Sequence, residues 1–260
     1  MCLEHYIFFD KAAIILTRWI YEYGANLMSK KMVVELGSGV GLPGIVASRF
    51  ADTVYLTDYI QTVLDNLRYN VQINTSESSF EDDEQKKSLK QHMLNACKVM
   101  YLNWYDIDFL IQKSSELEKK ETVPDLVQQA NADIRPEEFL QQLPGAHCVD
   151  LLLGSELTYT ASMETISHLA KLVDFYLKPD GVFVEILSTD RDGVALFCEE
   201  IGKYNFVYLV HKVPEKYIGN FKTKQRPEEY RFYVFTRKQN VTSEYAQLVC
   251  ATFGSPPENI

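Results

Sequence analysis

Seven short apolar runs recur along the 260-residue chain, and they constrain its fold more than any other feature. They read KMVVELG, TVYLTD, ACKVMYLNW, CVDLLLGS, VFVEILS, FVYLVHKV and YRFYVFTRK. Most are separated by segments with apolar residues at helical spacing. Short apolar strands that alternate with helices imply a parallel sheet covered on both faces. The last two runs follow one another with no helical pattern between them, which implies an antiparallel strand at the far side. The expected fold class is α/β, in a single domain spanning residues 1–260.

Lys11 to Tyr23 has a helical apolar stripe of Ala12, Ile15, Leu16, Trp19 and Tyr23. Asp10 is its expected N-cap and Gly24 its expected stop. LPGIVASRF reads as a second helix, with Pro43 tolerated in the first turn. QTVLDNLRYNVQIN and SMETISHLAKLVDFYL read as further helices, and another is expected near Gly193 to Lys203. Pro179-Asp180-Gly181 reads as a turn. Two polar stretches, about 75–95 and 105–147, read as insertions, the first of them a loop. The tail from about 240 to 260 reads as loose, with Pro256-Pro257 near its end.

The composition, 46% hydrophobic and 24% charged, is that of a soluble globular chain. A net charge of -10 argues against a broad nucleic-acid footprint, which needs a basic surface. It is compatible with a basic protein or a cationic ligand. The five cysteines (Cys2, Cys97, Cys148, Cys198, Cys250) are scattered, as expected of free thiols in a reducing compartment. No segment is long and apolar enough to span a membrane, and no leader pattern opens the chain. Neither the cysteines nor the five histidines form a metal-site or triad spacing. The expectation is a monomer, cytoplasmic or also nuclear, without metal, nucleic acid or membrane as partner.

The first apolar run enters a glycine-rich loop, VVELGSGVGLPG, from Val33 to Gly44. Its glycines are Gly37, Gly39 and Gly41, so the dinucleotide pattern G-x-G-x-x-G fails at Leu42. Glu35 is a poor neighbour for a pyrophosphate but a good one for a cation. S-adenosylmethionine carries a sulfonium and an amino-acid end, and no phosphate. Closely spaced glycines let backbone approach such a ligand without Cβ clashes. Asp58 closes the second strand about 20 residues further on, where an acid reaches ribose hydroxyls in Rossmann-type sites. The plainer roles are a solvated strand residue for Glu35 and a helix N-cap for Asp58.

The second chemical feature is GSELTY, Gly154 to Tyr159, at the end of the fourth run. Ser155 would lie at the cofactor's edge. Glu156 and Tyr159 would share one side of a helical turn. A carboxylate there can anchor an incoming amine, and a tyrosine can orient it. The plainer roles are helix capping for Glu156 and packing for Tyr159.

VVELGSGVGLPGIVA, VYLTD, VLDNLRYNVQIN, LNW and DLLLGSELTY together resemble the class I, seven-stranded methyltransferases. More narrowly they resemble the family-sixteen group, which is rich in protein-lysine methyltransferases. The resemblance covers about Lys11 to Lys238 outside the two insertions. It implies a Rossmann-like sheet of order 3-2-1-4-5-7-6 with strand 7 antiparallel. It implies S-adenosyl-L-methionine contacts at Glu35, Gly37, Gly39 and Gly41, with Asp58 on the ribose and Asn103 and Trp104 beside the adenine. An aromatic at a strand end can cover a purine face, although a core tryptophan is the plainer reading. The group's Asp-x-x-Tyr stands here as Glu-x-x-Tyr, one methylene longer. The implied activity is methyl transfer to a lysine of a protein substrate. Arginine, histidine or a small molecule are alternative acceptors, and a non-catalytic interaction module that keeps the fold is a third reading.

Overall fold

Side-chain alternation along the strands decides which face each residue covers. In the computed structural model Val33, Leu151, Val184 and Val234 point into one core, and Val34, Leu152, Phe183 and Phe235 into another. The structure describes residues 11–76, 83–117, 145–158, 162–189, 191, 193–219 and 230–258.

The strands are β1 (Met32–Glu35), β2 (Thr53–Asp58), β3 (Cys97–Tyr101), β4 (Val149–Ser155), β5 (Leu177–Ser188), β6 (Phe206–Lys212) and β7 (Tyr230–Arg237). The helices are α1 (Lys11–Leu27), α2 (Leu42–Ala47), α3 (Gln61–Thr75), α4 (Glu84–Ala96), α5 (Ile107–Leu117), α6 (Met163–Tyr176), α7 (Gly193–Gly202), α8 (Glu215–Ile218) and α9 (Glu244–Ala251). The sheet order is β3-β2-β1-β4-β5-β7-β6, with β7 antiparallel to both neighbours, as the resemblance implied. Helices α1, α2, α3, α4 and α9 contribute to the first core. Helices α5, α6 and α7 contribute to the second. Central β4 is buried along nearly its whole length, which is why it reads as a continuous apolar run. Among the described residues no helix is long and apolar enough to cross a membrane, and no acidic, histidine or cysteine group could hold a metal ion.

Several expectations change. Helix α1 continues through Gly24 to Leu27, because Gly24 is a packing residue: a Cβ there would meet the Phe50 ring at 2.4 Å. Its expected N-cap, Asp10, lies outside the described residues. Much of the stretch read as a first loop insertion is helix α4, opened by Asp83, whose carboxylate accepts from the Gln85 and Lys86 amides. It was hard to read because only Met93 and Ala96 of α4 are buried, so its apolar stripe is faint. Part of the second insertion is α5, while residues 118–144 lie outside the described ones.

The strand pair at the end is interrupted by the short α8. Pro179-Asp180-Gly181 lies within β5, where pairing with β4 jumps from Val149↔Leu177 to Leu151↔Val182. The three residues therefore form an irregularity in the strand. The C-terminal segment is not loose. Helix α9 buries Ala246 and Val249 against the first core, Trp19 Nε1 donates to Thr252 Oγ1 at 2.7 Å, and the Trp19 ring stacks on Phe253 at 5.8 Å. The two Trp19 contacts join residues more than 200 positions apart, which no local pattern encodes.

Candidate active site

The carboxyl ends of β1, β2, β3 and β4 converge on one cavity of about 600 Å³. It lies where parallel α/β sheets place ligands, beyond the strand ends at the reversal of strand order. Its size is typical of a small-molecule site.

The glycine loop forms one edge. Gly37, Gly39 and Gly41 all have positive φ, of 59°, 52° and 82°. Gly41 is needed twice over, because a Cβ there would also stand 2.3 Å from Leu67 Cδ1. The loop is pinned to β2: Ser38 N donates to Thr57 O at 2.7 Å, and Thr57 Oγ1 donates to Glu35 O at 2.7 Å. Asn70 Nδ2 on α3 donates to Val40 O at 2.9 Å. Of the three glycines Gly37 lines the cavity, and Gly39 and Gly41 shape the loop behind it.

Glu35 is placed differently from the expectation. Its side chain is buried beneath the loop, outside the cavity wall, and Oε2 accepts from the Gly44 amide in α2 at 3.0 Å. Burial raises its carboxyl from 4.5 to about 8, opposed by hydrogen bonds from Ser38 and Gly44 and helped by the Asp58 charge. It is neither a solvated strand residue nor a wall of the ligand site; it is the acceptor that seats α2 under the loop. The physical reason is register. Val34 faces the second core, so Glu35, one residue on, faces the first side, where α2 covers the strand.

Asp58 lines the cavity and organises both its neighbours. Oδ2 accepts from the Gly39 amide at 3.2 Å, and Oδ1 accepts from the Tyr59 and Ile60 amides at 2.8 and 3.2 Å. Asp58 does not cap α3, whose N-cap is Ile60 with no side-chain hydrogen bond; its carboxylate holds the two amides that follow the strand. Asn103 and Trp104 also line the cavity. The Asn103 side-chain Oδ1 accepts from the Tyr105 amide at 3.2 Å, capping the 3₁₀ turn Trp104–Asp106 that presents Trp104 and Tyr105. The strand ends at Tyr101, so Trp104 projects from this turn and not from β3 itself.

Ser155 and Glu156 form the β4 wall. Glu156 has φ +53°, an uncommon conformation for a residue with a Cβ. Its Oε1 accepts from the Ser188 amide at 2.5 Å and its Oε2 from Arg191 Nε at 2.7 Å. It does not cap the following helix; Ser162 does, through Thr165 N. Tyr159 lies outside the described residues.

The structure adds wall residues that the sequence reading missed: Tyr59, Ile60, Val63, Leu102, Tyr105, Leu157 and Thr165. Tyr59 and Ile60 directly follow Asp58, and Tyr105 directly follows Trp104, so adjacency to an assigned residue was the available signal. Thr165 comes from α6 and hydrogen-bonds the Tyr105 hydroxyl at 2.7 Å, a contact between segments far apart in the chain. Among the described residues the wall includes the carboxylate residues Asp58 and Glu156 and no lysine, arginine or histidine. An acidic, aromatic, glycine-edged cavity suits a ligand with a cation, a purine and a ribose, and disfavours one with phosphates.

The sheet order gives the chain the Rossmann-like fold of the class I methyltransferases. Residues 9–117, which carry the loop, Asp58 and Trp104, match the family model described as lysine methyltransferase. An uncharacterized protein of Dictyostelium discoideum is 44% identical over 54 residues, a match covering 20% of this chain and 15% of that protein. Among solved structures, magnesium protoporphyrin IX methyltransferase from Synechocystis PCC 6803 with bound SAM superposes at a TM-score of 0.50 with 12% identity, covering 86% of this chain and 77% of that one. M. jannaschii TYW2 in complex with AdoMet gives a TM-score of 0.47 at 13% identity, covering 90% and 79%.

Proposed function

We propose that this protein transfers a methyl group from S-adenosylmethionine to a lysine side chain of a protein substrate. The observation that carries the acceptor assignment is the match of residues 9–117 to the lysine methyltransferase family model. The acidic β4 wall supports it, because a lysine arrives as a cation.

When bound, S-adenosylmethionine supplies an electrophilic methyl group on its sulfonium. Gly37 offers backbone without a Cβ at the loop's edge, Asp58 offers acceptor oxygens for hydroxyls, and Trp104 offers a ring face for a purine. Ser155 and Glu156 stand on the β4 side of the same cavity. An ammonium must lose a proton before its nitrogen can attack, and in-line positioning then supplies much of the rate. Glu156 is the carboxylate placed to attract and orient that group. An incoming ammonium would compete with Arg191 for Oε2, while the Ser188 amide continues to hold Oε1.

The test is incubation with isotope-labelled S-adenosylmethionine in a lysate lacking this enzyme, followed by mass spectrometry of the labelled product. Methyl-lysine in a protein is the expected product. Label only in arginine, histidine, RNA or a small molecule would refute the acceptor assignment while leaving the methyltransferase intact.

A further inference from the structure

The Glu156 turn is held by a second glutamate that the chemistry above does not use. Glu185, in the middle of β5, is 0% exposed. Its Oε1 accepts from the Leu157 amide at 3.1 Å, and among the described residues its Oε2 has no hydrogen-bond partner. Burying a carboxyl this way is costly, and an apolar residue would pack there more cheaply. The contact is one half of a reciprocal clasp. From β5, Glu185 takes the amide of Leu157; from the end of β4, Glu156 takes the amide of Ser188. Between them the Glu156 amide donates to Ile186 O at 3.0 Å.

The clasp holds a strained backbone, since Glu156 keeps φ at +53°. It also holds Leu157 against the glycine loop: a Cβ on Gly37 would meet Leu157 Cδ2 at 2.9 Å, and one on Gly154 would meet Leu157 Cδ1 at 2.6 Å. One side chain therefore sets the β4 wall and the floor under Gly37 together.

We infer that Glu185 is a positioning residue, which acts through the Leu157 amide to set the geometry of both the cofactor edge and the Glu156 turn. This deepens the methyl-transfer reading and rests on it for the role of Glu156; its effect on the Gly37 edge does not depend on the acceptor. The groups around Glu185 are the Glu156 carboxylate on the β4 turn, the Cys198 thiol on α7 and the Tyr233 hydroxyl on β7, with Tyr208 of β6 hydrogen-bonded to Cys198. Burial raises the Glu185 carboxyl to about 8, and the Glu156 charge adds to the rise, so near neutral pH it is largely uncharged.

The variants that test this are Glu185→Met and Glu185→Gln, read by calorimetric titration with S-adenosylhomocysteine and by urea unfolding. Methionine fills the volume and removes a costly buried carboxyl but leaves the Leu157 amide unpaired; the two effects oppose one another, so the protein should still fold. Affinity should fall about tenfold, because the Leu157 turn beside Gly37 has lost its anchor. Glutamine keeps an uncharged acceptor and should restore affinity to within about threefold of wild type at pH 7. A stable Glu185→Met that binds like wild type, or a Glu185→Gln that binds no better than it, overturns the inference. A measurement on the wild-type protein decides the matter if Glu185→Met does not fold. The Leu157 amide should resist hydrogen exchange, and its nitrogen shift should titrate near pH 8. An amide that exchanges as fast as an open loop's overturns the inference. Wild-type S-adenosylhomocysteine binding with no methyl-lysine product would refute the acceptor reading alone and leave these readouts standing.

Discussion

Replacing Glu35 by glutamine tests whether the loop's glutamate is a buried helix seat. The structure raises its carboxyl from 4.5 to about 8, chiefly by burial. A group whose folded-state value lies above its unfolded value binds more protons when folded, so the stability it contributes is lost as pH rises through that window. Between pH 6 and pH 8, linkage with those two values gives a loss of about 2 kcal/mol from this one residue. Glu185, also raised to about 8, adds a loss of the same sign. Glutamine keeps an oxygen to accept from Gly44 and has no proton to lose. Urea unfolding of the cofactor-free protein at the two pH values is the assay, with unchanged slopes as the check that the unfolded state is the same. Glu35→Gln should lose about 2 kcal/mol less than wild type between pH 6 and pH 8. An identical loss in the two proteins would refute the buried, largely neutral Glu35.

Four further outcomes follow from the site and the core. Gly41→Ala should destabilise by about 3 kcal/mol or more, from strain at φ +82° and a 2.3 Å clash with Leu67. Gly39→Ala, which meets nothing within 4 Å, should cost only about 1–2 kcal/mol, so thermal unfolding should rank the two clearly apart. Asp58→Ala frees the Gly39, Tyr59 and Ile60 amides and should weaken S-adenosylhomocysteine binding by at least about tenfold in a calorimetric titration. Glu156→Gln retains an acceptor for the Ser188 amide but drops the charge; methyl transfer should fall by about tenfold or more with S-adenosylhomocysteine affinity within about threefold. Truncation after Asn240 removes the buried Val249 and Phe253 and should cost about 4 kcal/mol or more in urea unfolding.

Strand periodicity and the glycine spacing are local properties, and they carried far. The seven apolar runs correspond to the seven strands, and five of the residues assigned to the cofactor (Gly37, Asp58, Asn103, Trp104 and Ser155) stand on one cavity wall. They do so because parallel strands end together at one edge of the sheet, so residues at successive strand ends are neighbours by construction. Glu156 reaches the same wall for the same reason.

What the chain alone left open depends on which neighbour a side chain finally meets. Glu35 looked like a ligand group from its distance to the glycines, and only the packing of α2 against β1 turned it to the Gly44 amide. Helix α4 has too narrow a buried stripe to stand out from its polar surroundings. The C-terminal segment reads as a tail until Trp19 supplies a stacking partner for Phe253 and a hydrogen bond to Thr252. The pairing of Glu156 with Arg191 and Ser188, and of Glu185 with Leu157, crosses between β4 and the end of β5 and has no signature in either segment. Sequence by itself determined the layered α/β sheet, the acid-and-glycine edge and the residues that could meet there. Tertiary structure decided which carboxylates face the cavity and which are buried as supports, because that choice is made by register and by long-range hydrogen bonds.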